Sequence, residues 1–244
     1  MLLAHAVGHD RAWLNAHSGE ELKEVWWIHY GRYLHQRLQG QPTQQIIGVQ
    51  EFYGRDFRVT PDVLIPRPET EHVIEAALPL GARNILDIGT GSGAIAITLA
   101  LETGARLVGT DVSFAALRIA AENARRLGAK VDWVACDLAG GLCGRFDLVV
   151  SNPPYVPARD KSTLQREVRD YEPEIALYGG DDGLEIYRRL IPEAERLLAP
   201  RGWLVMEIGY ALREAVRDML GAWKEVEIRT DLAGLPRVVL GRRP

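Results

Sequence analysis

Ile85-Leu86-Asp87-Ile88-Gly89-Thr90-Gly91-Ser92-Gly93-Ala94 reads as a strand, a Gly-x-Gly-x-Gly loop and the first turn of a helix. A short apolar run ending in glycines has the pattern of a buried strand. The glycines let backbone approach a ligand closely and reach φ values that a side chain forbids. Dinucleotide-binding loops use a similar pattern, but with Gly-x-Gly-x-x-Gly spacing. Here an Asp also stands at the strand end, just before the loop. A carboxylate in that place suits a cationic or hydroxyl-bearing ligand better than a pyrophosphate.

Working outward from this unit, strands and helices alternate from Arg83 to the end. Strand-like runs are Asn84–Ile88, Arg106–Thr110, Lys130–Ala135, Phe146–Val150, Trp203–Ile208, Lys224–Ile228 and Arg237–Leu240. Helix-like runs fill the gaps at Gly93–Glu102, Ser113–Leu127, Leu184–Leu198 and Ala211–Leu220. The alternation predicts an α/β, Rossmann-like fold: a mostly parallel sheet of seven strands, covered on both faces, with right-handed crossovers. Ligands in such folds sit at the carboxyl ends of the strands, near the switch in strand order.

Upstream of the alternation the pattern changes. Leu2, Leu3, Ala6 and Val7 form one short apolar stripe, and Leu22 to Leu38 recur at helical spacing. Ser18 with Glu21 three residues on reads as a capping box. Trp26 and Trp27 read as core or interface packing, with ligand stacking as the alternative. The helical region looks about one helix short at its start. After Gly40-Gln41-Pro42, Gln50–Val59 reads as a β-hairpin about Gly54, followed by the proline-flanked segment Ile65–Glu71 and a helix to about Leu78. The organisation expected is a small helical domain at 1–42, a linker with the hairpin at 43–78, and a ligand-binding catalytic domain at 79–244.

Two further acids end strands beside the glycine loop. Asp111 closes the second strand, 18 residues beyond Gly93, where a carboxylate can accept from both hydroxyls of a ribose, with Val112 next to it. Asp137 closes the third, placed to reach the exocyclic amine of an adenine, with Leu138 against the ring. Each acid alone could be a helix cap or a loop residue. Together with Gly89, Thr90, Gly91, Ser92 and Gly93, three acids at three successive strand ends fit a nucleoside without phosphates that is neutral to cationic. S-adenosylmethionine (SAM) is such a ligand.

The fourth strand ends on Asn152-Pro153-Pro154-Tyr155. Neither proline can continue a strand, since each lacks an N–H and fixes φ near −65°. The turn that results is rigid and carries one primary amide and one aromatic ring. The amide oxygen and a carbonyl freed by proline are a pair of acceptors suited to an –NH2 group. The plain alternative is a proline-terminated strand leading into a loop.

Composition limits the remaining classes. A chain of 244 residues with 47% hydrophobic and 25% charged residues fits one large α/β domain with an appendage. The net charge of −4 gives no bulk electrostatic reason to expect nucleic acid as partner. No apolar stretch reaches membrane-spanning length and no signal peptide is evident at the N-terminus, so a cytoplasmic protein is expected. Cys136 and Cys143 lack CxxC spacing and read as small packing residues, and no metal site is expected.

Taken together, these residues resemble the SAM-dependent amino methyltransferases, which combine a glycine loop, an acid after the second strand and Asn-Pro-Pro-Tyr after the fourth. Within them, the chain resembles the release-factor glutamine methyltransferases, the PrmC/HemK family, from about Gly48 to Arg242. Besides Leu86–Ala94 and Ser151–Val156, the resemblance rests on Glu51-Phe52-Tyr53-Gly54, Ile65-Pro66-Arg67-Pro68-Glu69-Thr70-Glu71 and Glu172-Pro173. Ala176-Leu177 and Gly179-Gly180-Asp181-Asp182-Gly183-Leu184 complete it. Asn-Pro-Pro-Tyr is shared with DNA adenine methyltransferases, whereas the Pro-Arg-Pro-Glu-Thr-Glu segment resembles the glutamine-modifying branch. Two departures concern docking of the protein substrate: the short helical region, and Gln45 where the family usually has an aromatic.

The resemblance implies methyl transfer from SAM to the side-chain amide nitrogen of a glutamine, in the Gly-Gly-Gln loop of a peptide chain release factor, leaving S-adenosylhomocysteine. Asn152, Pro153, Pro154 and Tyr155 would hold the amide, and Asp87, Gly89–Gly93, Asp111, Val112, Asp137, Leu138 and Asn152 would hold the cofactor. Arg67 and Glu69 would close one wall of the substrate pocket or form a salt-bridged turn, with Glu172 as a further candidate for that wall. A monomer is expected, with the release factor as partner and no direct nucleic-acid binding. The competing readings are an amino methyltransferase for a nucleic-acid base, a ribosomal-protein glutamine methyltransferase, and a regulatory SAM-binding module.

Overall fold

The computed structural model describes residues 1–244. Four helices come first: α1 (Leu2–Val7), α2 (Arg11–Ala16), α3 (Glu24–Leu38) and α4 (Thr43–Ile47). A two-stranded antiparallel hairpin follows, β1 (Val49–Phe52) with β2 (Arg55–Arg58), and then α5 (Glu71–Ala77). The rest alternates as β3 (Asn84–Ile88), α6 (Ala94–Thr103), β4 (Arg106–Asp111), α7 (Phe114–Leu127), β5 (Val131–Ala135) and β6 (Phe146–Ser151). After α8 (Arg166–Tyr171) and α9 (Glu185–Leu197) come β7 (Leu198–Glu207), α10 (Arg213–Met219), β8 (Lys224–Thr230) and β9 (Pro236–Arg242).

The seven strands β3–β9 form one sheet in the order β5-β4-β3-β6-β7-β9-β8. Only β9 runs against its neighbours, so the sheet is mostly parallel as expected. The order reverses at β3, which pairs with β4 on one side and β6 on the other. The carboxyl ends of these three strands therefore converge, and they carry Asp87, Asp111 and the Asn152 turn.

Alternation along the strands sends neighbouring residues to opposite faces. Leu86, Ile88 and Val149 join a core with Tyr187, Leu190 and Leu220 beneath α9 and α10. Ile85, Leu148 and Val150 join a second core with Ile74 of α5, Ile97 and Leu99 of α6, and Phe52 and Phe57 of the hairpin. Each fully buried side chain of this size is worth roughly 2 kcal/mol. α3 buries no residue at all, so stability resides in the α/β body and the hairpin fastened to it.

Four expectations are corrected. Ser18 and Glu21 form no capping box, because α3 begins at Glu24 and its N-terminus has no side-chain cap; Asp10 instead caps α2, accepting from the Trp13 N–H at 2.8 Å. Trp26 is half-buried, edge-on to Trp13, but Trp27 is 59% exposed and packs no core. Cys136 is partly buried, whereas Cys143 is exposed. β7 also starts five residues before Trp203, where its pairing with β6 shifts register. No helix is long and apolar enough to cross a membrane.

Candidate active site

The loop after β3 is held from below. Asp87 is fully buried, and the Thr90 hydroxyl donates to its Oδ2 at 2.6 Å. Its Oδ1 is buried with no partner, and burial pushes the carboxyl up to about 7 against the pull of Thr90 and of the Ala96 N–H. Gly93 turns the chain into α6 at φ +82°, where a Cβ would stand 2.8 Å from the Ile97 methyl. Any side chain there would be strained and crowded at once.

Asp111, at the end of β4, accepts from the Gly91 N–H at 2.9 Å and from the Ser113 N–H at 2.8 Å. Burial raises its pKa, and those N–H groups oppose the rise. Asp137, beyond β5, is paired at 2.5 Å with Arg189 of α9 at the surface.

A cavity of about 350 Å³ brings the two halves of the sequence argument together. Gly89, Gly91, Asp111, Val112, Asp137 and Leu138 line one side, and Asn152 and Pro154 line the other. Val63, Leu64, Ile175 and Ile186 supply apolar wall that was not foreseen from sequence. Four expected cofactor residues, Asp87, Thr90, Ser92 and Gly93, are not in the cavity wall. The Pro153 and Tyr155 side chains are not in the wall, and the Tyr155 hydroxyl turns to Glu207.

The donor set fits SAM. The cavity is lined by carboxylates and has no lysine, its one guanidinium (Arg189) is paired to Asp137, and an orphaned carboxylate oxygen sits buried at the end of β3. An unsatisfied buried carboxylate is suited to a cation.

The Asn152–Tyr155 turn is clamped by residues 177–183. The Val156 N–H donates to the Leu177 carbonyl at 2.9 Å, and the Gly179 N–H returns to the Val156 carbonyl at 3.0 Å. A Cβ on Gly179 would stand 2.6 Å from the Pro154 carbonyl oxygen, so only glycine packs there.

Behind the turn lies a polar cluster that motif reading missed. The Asn152 Nδ2 donates to Thr70 Oγ1 at 3.0 Å, and the Thr70 hydroxyl donates to Glu207 Oε2 at 2.6 Å. Tyr155 donates to Glu207 Oε1 at 3.1 Å, and Tyr187 donates to the Glu207 backbone carbonyl at 2.8 Å. Glu207 is buried, and that burial raises its pKa against the two hydroxyl bonds. The signal was available: Glu207 ends β7 on the same edge of the sheet as the three aspartates, and Thr70 lies inside a quoted motif.

The Pro-Arg-Pro-Glu-Thr-Glu segment spends its charges on the protein. Arg67 pairs with buried Glu172 at 2.5 Å, Glu69 lies 3.7 Å from Arg237, and Glu71 accepts from the Tyr53 N–H at 2.8 Å. Neither Arg67 nor Glu69 lines this cavity, and both make the ion pairs that a salt-bridged turn requires.

Comparison with known proteins bears on the acceptor. Residues 1–48 match the model of the PrmC N-terminal domain, and 70–169 match the Methyltransferase small domain. A release factor glutamine methyltransferase of Koribacter versatilis is 45% identical over all of this chain and 90% of its own length. The chain belongs to the release factor glutamine methyltransferase family. Another member, from Neisseria gonorrhoeae, is 43% identical over 99% of this chain and 91% of its own. Among solved structures, a methyltransferase from Pyrococcus furiosus overlays with a TM-score of 0.63 at 19% identity, covering 87% of this chain and 96% of that one. A Thermus thermophilus 16S rRNA methyltransferase in complex with AdoMet and guanosine gives 0.59 at 18% identity, over 80% and 50%. These two share the fold. Family membership makes the chain a methyltransferase that uses SAM.

Proposed function

We propose that this enzyme methylates the side-chain amide nitrogen of a glutamine in the Gly-Gly-Gln loop of a peptide chain release factor. The observation that carries this is one cavity shared by the cofactor acids and the Asn152 turn, in a chain of this family. The cofactor supplies an electrophilic methyl on a sulfonium sulfur.

An amide nitrogen is a poor nucleophile, because its lone pair is delocalised into the carbonyl. Among the cavity-lining residues there is no His, Lys or Cys to act as a base. Placement therefore does the work. Asn152 Oδ1 and the Pro153 carbonyl accept the two amide hydrogens and aim the nitrogen at the methyl. The same two dipoles stabilise the positive charge that develops on nitrogen, and the proton leaves to water after transfer. Tyr155 backs the turn, with its hydroxyl anchored on Glu207. Asp111 would hold the ribose hydroxyls, Asp137 and Leu138 would hold the adenine, and the buried Asp87 carboxylate would favour the cationic end of the cofactor from beneath the loop.

The domain division follows the same logic. Residues 1–42 dock the protein substrate, 43–78 link, and 79–244 bind the cofactor and carry the chemistry. Supporting this, α3 exposes Val25, Trp27, Ile28 and Leu38, apolar surface the fold itself does not use.

Asn152→Ala tests the placement mechanism. Turnover should fall ~100-fold or more while SAM affinity changes less than about threefold; retained turnover would refute it. Labelled SAM offered with intact release factor or with DNA, followed by mass spectrometry of the Gly-Gly-Gln peptide, tests the acceptor. Label on DNA alone overturns the assignment.

A further inference from the structure

We propose that Thr70 is a positioning residue for methyl transfer: its hydroxyl, oriented by Glu207, fixes the Asn152 carboxamide with its oxygen facing the acceptor. The inference deepens the placement reading above and rests on it. A carboxamide can present either its oxygen or its NH2 to the cavity, and only the oxygen can accept a hydrogen from the substrate amide. A flipped Asn152 would point a donor at a donor and hold the acceptor nitrogen away from the methyl.

The choice is made behind the turn. Thr70 has one hydroxyl hydrogen, and it stands 2.6 Å from Glu207 Oε2 and 3.0 Å from Asn152 Nδ2. A carboxylate has no hydrogen to give, so the Thr70 hydrogen goes to Glu207 and its lone pair is left for Asn152. Asn152 must then turn its NH2 toward Thr70 and its oxygen toward the cavity. The reverse orientation would direct the Thr70 hydrogen to Asn152 and leave two oxygens 2.6 Å apart with none between them.

Glu207 is held in its accepting role from several sides. Tyr155 donates to its other oxygen, and Arg237 lies close enough to favour its charge, while burial and Glu69 oppose it. Tyr187 fixes the backbone of the same residue. Thr70 itself lies where a short 3-10 turn runs into α5, and its hydroxyl caps no backbone N–H there. Its side chain is 4% exposed in total and serves only this relay.

Packing and relay roles make opposite predictions for two substitutions. Thr70→Val keeps the shape and removes the hydroxyl, whereas Thr70→Ser keeps the hydroxyl and leaves a methyl-sized gap. The relay requires Thr70→Val to lose about tenfold in kcat at saturating SAM and release factor, with SAM affinity unchanged, and Thr70→Ser to stay within about twofold of the parent. Thr70→Val within twofold of the parent, or Thr70→Ser as slow as Thr70→Val, overturns the proposal. Thr70→Ala serves the same comparison where valine disturbs folding, as judged by the melting curve. Asn152→Ala run alongside separates the two claims. Loss there with Thr70→Val intact sinks the relay alone, and retention there sinks the placement mechanism on which it stands.

Discussion

The cofactor side and the acceptor side of the cavity are built in contrasting ways. On the cofactor side, each element is a strand end and the few residues after it, and the loop's polar groups bond within one strand end or to the next: Thr90 to Asp87, Ser113 to Asp111, and Gly91 to Asp111 across 20 positions. On the acceptor side, the Asn152 amide is oriented by Thr70, 82 positions away in the chain, which is itself held by Glu207, 137 positions from Thr70. The first half is a set of local loops that a ligand completes. The second is a buried relay already completed by the fold.

The contrast can be broken most severely at its acceptor end. Asn152→Ala should abolish turnover without removing SAM, and Thr70→Val should follow at about tenfold, both read by steady-state kinetics beside calorimetric SAM binding. If both variants also lost SAM binding, the two sides would not be separable.

Asp111→Asn should act in the opposite sense. It removes a charge that also gathers the Gly91 and Ser113 N–H groups, so SAM affinity should fall about tenfold while kcat at saturation stays within about threefold.

The pH dependence of SAM binding sharpens the cofactor side further. With its pKa held at about 7, Asp87 is protonated in the free enzyme below that value, and a cation bound above the loop would favour its ionised form. Affinity should then fall toward tenfold per pH unit below 7, with a proton released on binding, measurable by calorimetry in buffers of different ionisation enthalpy. The sign for stability is the reverse: the folded free enzyme binds the extra proton between about pH 4 and 7, so this group's contribution declines as pH rises through that window. Asp87→Asn should remove both effects. The smallest change belongs to Arg189→Ala, since its pair with Asp137 is largely solvated and worth less than about 1 kcal/mol; SAM affinity should move less than threefold.

What was legible in the sequence follows the same division. The sheet, its glycine loop and its terminal acids could be read because their residue spacing is local: period-two strands, glycines at fixed offsets and an acid at each strand end. The Asn152 turn was legible because two prolines stop a strand wherever it lies. Thr70 in its motif and Glu207 at its strand end were each visible, but their union was not, because nothing in a linear reading places residue 70 beside 152 and 207. Arg67 and Glu69 show the same limit, with partners at Glu172 and Arg237 that only the closed fold supplies. In the helical region the helices were legible and their burial was not. α3 has apolar residues at helical spacing but leaves Val25, Trp27, Ile28 and Leu38 exposed, because spacing marks a face without supplying a surface to cover it.

Four of the five consecutive residues from Arg67 to Glu71 are fastened to five partners: Arg67 to Glu172, Glu69 to Arg237, Thr70 to Glu207 and Asn152, and Glu71 to the Tyr53 N–H. Replacing any one residue loosens only its own ties and leaves the others in register. Inserting or deleting a single residue would slide every tie off its partner at once. Among related chains, this stretch should therefore vary in letters before it varies in length.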